Sequence, residues 1–204
     1  NDARCQVMAN LANFSYDPIN YEHLRSLGVL DLFLEHLTEE DATLTRFALG
    51  GLCNLALDSE NKDHINGSGG ISQISNCLLS PCVETVTYAI TSLMFLVTAK
   101  YKADITNDTN IGRMIELSQH SDKRIQNLAV IFLDDYCSRD QVYKKFCHHV
   151  LDTCSCTSLL LCTLCRHGVP TIPALWQQQP APPDQICGGA LYLWGVPYWS
   201  VHPG

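Results

Sequence analysis

The sequence predicts an all-α fold, a right-handed α-solenoid of about three to four short repeats over residues 1–146, with a non-repeat tail over residues 147–204. Three observations predict it. First, Phe47-Ala-Leu-Gly-Gly-Leu-Cys-Asn-Leu55 lies over Tyr88-Ala-Ile-Thr-Ser-Leu-Met-Phe-Leu96 at an offset of 41 residues, with the same aromatic, alanine and leucine positions. Second, apolar residues inside each unit recur at helical spacing. Third, each long apolar segment is preceded by residues that start helices. A period near 40 with helical spacing inside it marks units that bury their apolar faces only by stacking on neighbours.

The first described unit is partial. Asn10-Leu11-Ala12 reads as the end of a repeat whose start is missing, and the chain opens on Asn1-Asp-Ala-Arg4 without an initiator methionine, so a fragment is expected. In the next unit Asp17, Asn20 and His23 recur 41 residues later as Asp58, Asn61 and His64, and Gly28-Val29 matches Gly70-Ile71 with one residue more. Thr38, with Asp41 three residues on, starts a long helix near 41–57, along which Leu44, Phe47, Ala48, Leu52 and Leu55 form one apolar stripe. Ser80-Pro81 with Glu84 starts the second long helix, near 83–98, because a side-chain oxygen accepts from free backbone amides and proline suits the first helical position. Ser121-Asp122 starts the third, near 122–137, whose Leu128-Ala-Val-Ile-Phe-Leu133 continues the series. Before the first two long helices a glycine leads an apolar run, Gly28-Val-Leu-Asp-Leu-Phe-Leu34 and Gly69-Gly-Ile-Ser-Gln-Ile74, where a residue without Cβ permits a sharp turn between two short helices. Three helices per unit is the armadillo form rather than the two-helix form. A four-helix bundle needs no recurring residues at a fixed offset.

With 46% hydrophobic residues the chain can build a buried core, and its net charge of −8 with a pI near 5.3 repels phosphate backbones. Lys123-Arg124 and Lys144-Lys145 are only pairs, read as solvated helix faces. No stretch reaches the roughly 18–20 apolar residues of a spanning helix. Val150 to Cys165 is shorter and contains Asp152. No charged-then-apolar leader opens the chain. Cys5, Cys53, Cys77, Cys82 and Cys137 are scattered among apolar neighbours, which suits reduced thiols and an intracellular compartment.

In armadillo stacks the third helices line a concave groove, and those that hold extended peptides repeat an Asn with a Trp four residues earlier. The amide serves the peptide backbone and the indole makes a pocket. The corresponding pairs here are Gly50 with Asn54, Thr91 with Phe95, and Ile131 with Asp135, the candidate partner-binding residues. One Asn and no Trp argue against an import-receptor groove, while Phe95 beside Asn54 suits a folded partner. No catalytic set competes. His23, His36, His64 and His120 stand singly on helical segments, Asp134 and Asp135 point to different sides of a helix, and Gly67-Ser-Gly-Gly70 lacks the Lys-Ser/Thr of a phosphate loop. No cofactor is expected.

From residue 166 to 204 only Arg166 and Asp184 are charged, while prolines and all three tryptophans gather there. Before that stretch stand Cys147-His148-His149, Cys154, Cys156, Cys162, Cys165 and His167. A tetrahedral zinc on Cys154, Cys156, Cys162 and Cys165 is the weaker alternative, because the spacing matches no known finger. A disordered or aberrant extension is the leading reading.

Longer segments carry a resemblance: Asn10-Leu-Ala-Asn-Phe-Ser-Tyr-Asp-Pro18, Gly28-Val-Leu-Asp-Leu-Phe-Leu34, Gly50-Gly-Leu-Cys-Asn-Leu55, Glu84-Thr-Val with Ala89-Ile-Thr, and Asn127-Leu-Ala-Val-Ile-Phe-Leu133 through Cys137-Ser138. Over residues 7–142 the chain resembles a family of small armadillo-repeat nuclear scaffolds. The resemblance implies pairing with an RNA-recognition-motif protein, RNA-binding motif protein 48, among spliceosome proteins of the minor spliceosome. It also implies only indirect contact with RNA, no membrane, and a nuclear location with a cytoplasmic pool as the alternative. The chain departs from the family in an incomplete first repeat and in lacking the short basic end. The rival functional reading is a general cytoplasmic armadillo adaptor for peptides.

Overall fold

The structure, a computed structural model, describes residues 2–153. Among them there are eleven α-helices, two short 3-10 turns and no strand. Three helix triplets follow one another. The first is α2 (Tyr21–Ser26), α3 (Val29–His36) and α4 (Ala42–Leu55), the second α5 (Ser59–Gly67), α6 (Gly70–Asn76) and α7 (Val83–Leu96). The third is α8 (Lys102–Ile105), α9 (Asp108–Leu117) and α10 (Lys123–Tyr136). Ahead of them α1 (Asp2–Phe14) stands where a third helix would, and α11 (Arg139–Thr153) follows them. Helices α1, α4, α7 and α10 pack in that order. The solenoid fold is therefore as expected, and the three long helices end within two residues of their predicted limits.

The helix starts follow from capping chemistry, with two corrections. Asp41, not Thr38, caps α4, its carboxylate accepting from the amides of Thr43 and Leu44, while the Thr38 hydroxyl donates back to the Glu35 carbonyl. Pro81 lies outside α7, whose cap is Cys82. The Ser80 hydroxyl accepts from the Cys82 amide rather than from the helix itself. Asp58 and Asp122 cap α5 and α10 as side-chain acceptors. Glycine turns stand at both predicted junctions, with one correction: the counterpart of Gly28 (φ 71°, α2/α3) is Gly69 (φ 79°, α5/α6), at the plain 41-residue offset, and not Gly70, which begins α6. A Cβ there would meet the following carbonyl.

Each triplet buries its second helix against its third. On α3, Val29, Leu30, Phe33 and Leu34 are buried, and Phe33 lies on Gly51 of α4, where an added Cβ would fall 2.3 Å from the ring. At about 1.5–3 kcal/mol per buried apolar side chain, such contacts supply the drive that a six-residue helix such as α2 lacks alone. Polar ties join successive repeats. Arg25 of α2 bridges Asp58 (2.8 Å) and Glu60 (2.9 Å), and Arg113 of α9 donates to the Leu78 carbonyl, while within the second triplet Asn66 of α5 donates to the Leu96 carbonyl.

Residues 1–149 form one compact unit. Helix α11 runs across residue 146, where composition placed the start of the tail. No described helix is long and apolar enough to cross a membrane.

Candidate functional site

The six candidate residues lie on the third helices α4, α7 and α10, and the structure sorts them by what each can still offer. Gly50 is not an open pocket. The ring of Tyr88 on α7 lies over it, so that an added Cβ would meet ring carbons at 3.5–3.8 Å. Tyr88 is itself buried. The small residue at this position seats the aromatic of the next repeat, where peptide-holding armadillo stacks carry an indole. Phe47 and Leu128 stand 41 residues before and 40 after Tyr88, so the recurrence of a large apolar residue here was legible in the self-comparison.

Thr91 spends its hydroxyl proton on its own helix, donating to the Thr87 carbonyl at 2.9 Å, as Thr87 does to Val83 at 2.8 Å. It presents a methyl group rather than a free donor. Asn54 is half-buried, and its amide donates across the stack to the Ala12 carbonyl at 3.4 Å. Its backbone carbonyl accepts from the Tyr21 hydroxyl at 3.0 Å. Its Oδ1 has no acceptor role in any of these bonds, so a partner's N–H can use it. Phe95 and Ile131 are half-buried and Asp135 is exposed. These helices therefore offer an amide oxygen, an aromatic edge, an aliphatic surface and a carboxylate in succession, a pattern suited to a shaped partner rather than to repeated peptide-backbone clamping.

Electrostatics differ along these helices. At the start of the long helices Glu84 sits near Arg46 and Arg124, and its pKa is lowered chiefly by the Cys82 thiol donating to Oε2 (3.2 Å). Toward their ends Asp134 is exposed beside Asp135. Partial burial first, then the Asp135 charge, hold its pKa above the ordinary range. Sequence reasoning missed the Thr43, Glu84 and Arg124 column, although the same offset relates these positions within one residue.

The histidines are placed differently from one another. His36 is buried: Arg4 donates to Nε2 (3.2 Å), and Nδ1 meets the Leu32 carbonyl at 2.8 Å. His64 contacts Asp31 at 2.6 Å, joining α5 to α3. His120 is not helical. It lies between α9 and α10, where its Nδ1 accepts from the Asp122 amide. Burial pushes the Cys53 thiol up to about 12 and the Cys77 thiol to about 11. Among the described residues no group of three or more His, Cys, Asp or Glu could hold a metal ion. The alternative zinc ligands Cys154, Cys156, Cys162 and Cys165 lie outside the described residues.

No protein-family model matches the chain. Armadillo repeat-containing protein 7 of Mus musculus is 50% identical over 143 residues, 69% of this chain and 72% of that protein. Junction plakoglobin of Sus scrofa is 29% identical over 104 residues, 51% of this chain but only 14% of that protein. Crystal structures of two engineered proteins superpose with TM-scores of 0.63 and 0.64 at 17% identity. The superpositions cover 69% and 71% of this chain and 61% and 64% of theirs, and at that identity they speak for the fold alone.

Proposed function

Because this chain belongs to the armadillo repeat-containing protein 7 family, and is thereby a protein-interaction scaffold, we propose that it serves the minor spliceosome without catalysing a reaction itself. In this reading the scaffold acts in the nucleus, in splicing of minor-class introns, and holds an RNA-recognition-motif partner, RNA-binding motif protein 48. The observation that carries the reading is 50% identity to that family member over 143 residues. The acidic balance of the chain supports leaving RNA contact to the partner.

The binding surface is the side bearing Asn54, Phe95, Ile131 and Asp135. Phe95 is the anchor, since a half-buried aromatic supplies contact area at little entropic cost, and Asn54 Oδ1 and the Asp135 carboxylate orient what docks around it. A general peptide-binding adaptor in the cytoplasm is less well served, because Gly50 is covered by Tyr88 and the Thr91 hydroxyl is already spent. The test is precipitation of the tagged full chain from nuclear extract. Recovery of RNA-binding motif protein 48 with minor-class small nuclear RNAs is the expected result. Recovery of neither overturns the proposal.

A further inference from the structure

Two successive connections between a third helix and the next first helix, α1 to α2 and α4 to α5, lie on one edge of the stack and share a pattern. Each presents an apolar residue followed by an aspartate, Tyr16-Asp17 and Leu57-Asp58, at the same 41-residue offset that defines the repeat. These side chains stay partly open to solvent: Tyr16 is 45% exposed, Leu57 46% and, beside them, Ile19 75%. Both aspartates are pinned as caps, Asp17 accepting from the Ile19 amide and Asp58 from those of Glu60 and Asn61. The two connections are neighbours. The Tyr21 hydroxyl donates to the Asn54 carbonyl, Arg25 reaches Asp58, and burial first, then the charges of Asp58 and Asp17, raise the Tyr21 pKa.

Charge along the chain is uneven in the same sense. Residues 1–63 hold eleven acidic against four basic residues, whereas residues 64–147 hold eight of each. Three of the four cations are already engaged, Arg4 with Glu39, Arg25 with Asp58 and Glu60, and Arg46 over the Phe47 ring. At the third connection the pattern ends, with Thr98-Ala99-Lys100 replacing the apolar-aspartate pair and Lys102 following. The edge is thus apolar and acidic over its first two connections and basic at the third.

We propose that the edge carrying Tyr16, Asp17, Ile19, Leu57 and Asp58 is a docking strip for a basic amphipathic segment of a partner protein. Helices α1 and α4 are packed neighbours, so Tyr16 and Leu57, just past their ends, stand about one interhelical spacing apart, roughly 8–10 Å. A helix meets both sites with apolar residues seven apart, which rise about 10 Å. Lysine or arginine beside each apolar residue meets Asp17 and Asp58. Of the two, Asp17 forms no ion pair with a described cation, so it gains most from an incoming one. The strip adjoins the Asn54 side through Tyr21 but does not depend on Phe95, and a partner can use either surface alone.

The test is fluorescence titration of the full 204-residue chain against a labelled 15-residue helical peptide of leucines seven apart among lysines, with a glutamate counterpart as control. Binding of the lysine peptide is expected, weakened at least tenfold by Asp17→Asn, which keeps the cap, and by Ile19→Ser or Leu57→Ser. Phe95→Ala is expected to leave it unchanged, which separates failure of the strip from failure of the spliceosomal reading. Amide NMR shifts are expected to cluster at residues 14–22 and 55–60. The proposal is overturned by no binding at millimolar peptide, by equal binding of the glutamate peptide, by equal affinity in all three strip variants, or by shifts centred elsewhere. It is also overturned if the strip proves to be a self-contact, seen as concentration-dependent dimerisation lost in Leu57→Ser. If Leu57→Ser fails to fold, Asp17→Asn and Ile19→Ser decide the matter.

Discussion

Two adjacent glycines in the middle of α4 give a matched pair of substitutions with opposite expected signs. In a helix interior, replacing glycine by alanine stabilises by about 1 kcal/mol. At Gly50 nothing opposes this gain, because the new Cβ would stand 3.5–3.8 Å from the Tyr88 ring, ordinary van der Waals contact. At Gly51 the same methyl group would stand 2.3 Å from Phe33 Cε2 and 2.5 Å from Cζ, and Phe33 is fully buried with nowhere to turn. Overpacking of that kind costs about 1–3 kcal/mol. The propensity term is common to both variants, so their difference isolates the clash. Gly51→Ala is expected to be less stable than Gly50→Ala by about 1–3 kcal/mol, or roughly 2–12 °C in melting temperature for a unit of this size. Thermal and urea unfolding followed by far-ultraviolet circular dichroism reads both. Adding Phe33→Leu is expected to recover part of the Gly51→Ala loss. Equal melting of the two alanine variants would refute the close packing of α3 on α4.

The remaining expectations concern turns, thiols and one carboxylate. Gly28→Ala and Gly69→Ala are each expected to cost about 1–2 kcal/mol in denaturant unfolding, with Gly28→Asn recovering part, since at positive φ a Cβ crowds the adjoining backbone carbonyl even where no other residue lies near it. Cys53 and Cys77, buried and with their pKa values pushed to about 12 and 11, are expected to resist iodoacetamide at pH 8 until the chain is denatured, as mapped by peptide mass spectrometry. Asp134 has a folded pKa raised above its unfolded value by burial and by Asp135, so its charged form penalises folding above the ordinary carboxylate range, and the penalty disappears as pH falls through the folded value. Asp134→Asn is expected to raise the melting temperature at pH 7 and to leave it unchanged near pH 3.

The long helices were legible because two independent signals coincide there, an apolar stripe of helical period and a capping aspartate just before it, as at Asp41 and Asp122. The turns at Gly28 and Gly69 were legible because few residues other than glycine tolerate that backbone. Caps with several polar candidates in a row were not. Thr38 and Ser80 have the right chemistry, but one donates back to its own turn and the other serves the Cys82 amide. At the third triplet's first helix, only Lys102–Ile105, the Asp, Asn and His positions of the earlier units are taken by Ala99, Lys102 and Ile105. For the candidate residues, the offset marks the six positions as repeat equivalents and no more. Whether Gly50 and Thr91 face a partner or serve the stack depends on the Tyr88 ring and on a hydroxyl bonding its own helix, and these are facts of packing that periodicity does not encode. The exposed edge at Tyr16 and Leu57 was likewise present in the repeat alignment, but its meaning required the exposures.

The central claim is that the side bearing Asn54, Phe95 and Asp135 holds the partner, and recovery of that partner by surface variants tests it most directly. The full chain is compared with Phe95→Ala and Asp135→Lys in quantitative precipitation from nuclear extract, with melting of each variant measured in parallel. Loss of an anchor of about 2 kcal/mol lowers affinity nearly thirtyfold, so recovery of the RNA-recognition-motif partner is expected to fall at least tenfold while melting is unchanged for Asp135→Lys. Undiminished recovery by both variants would contradict the account.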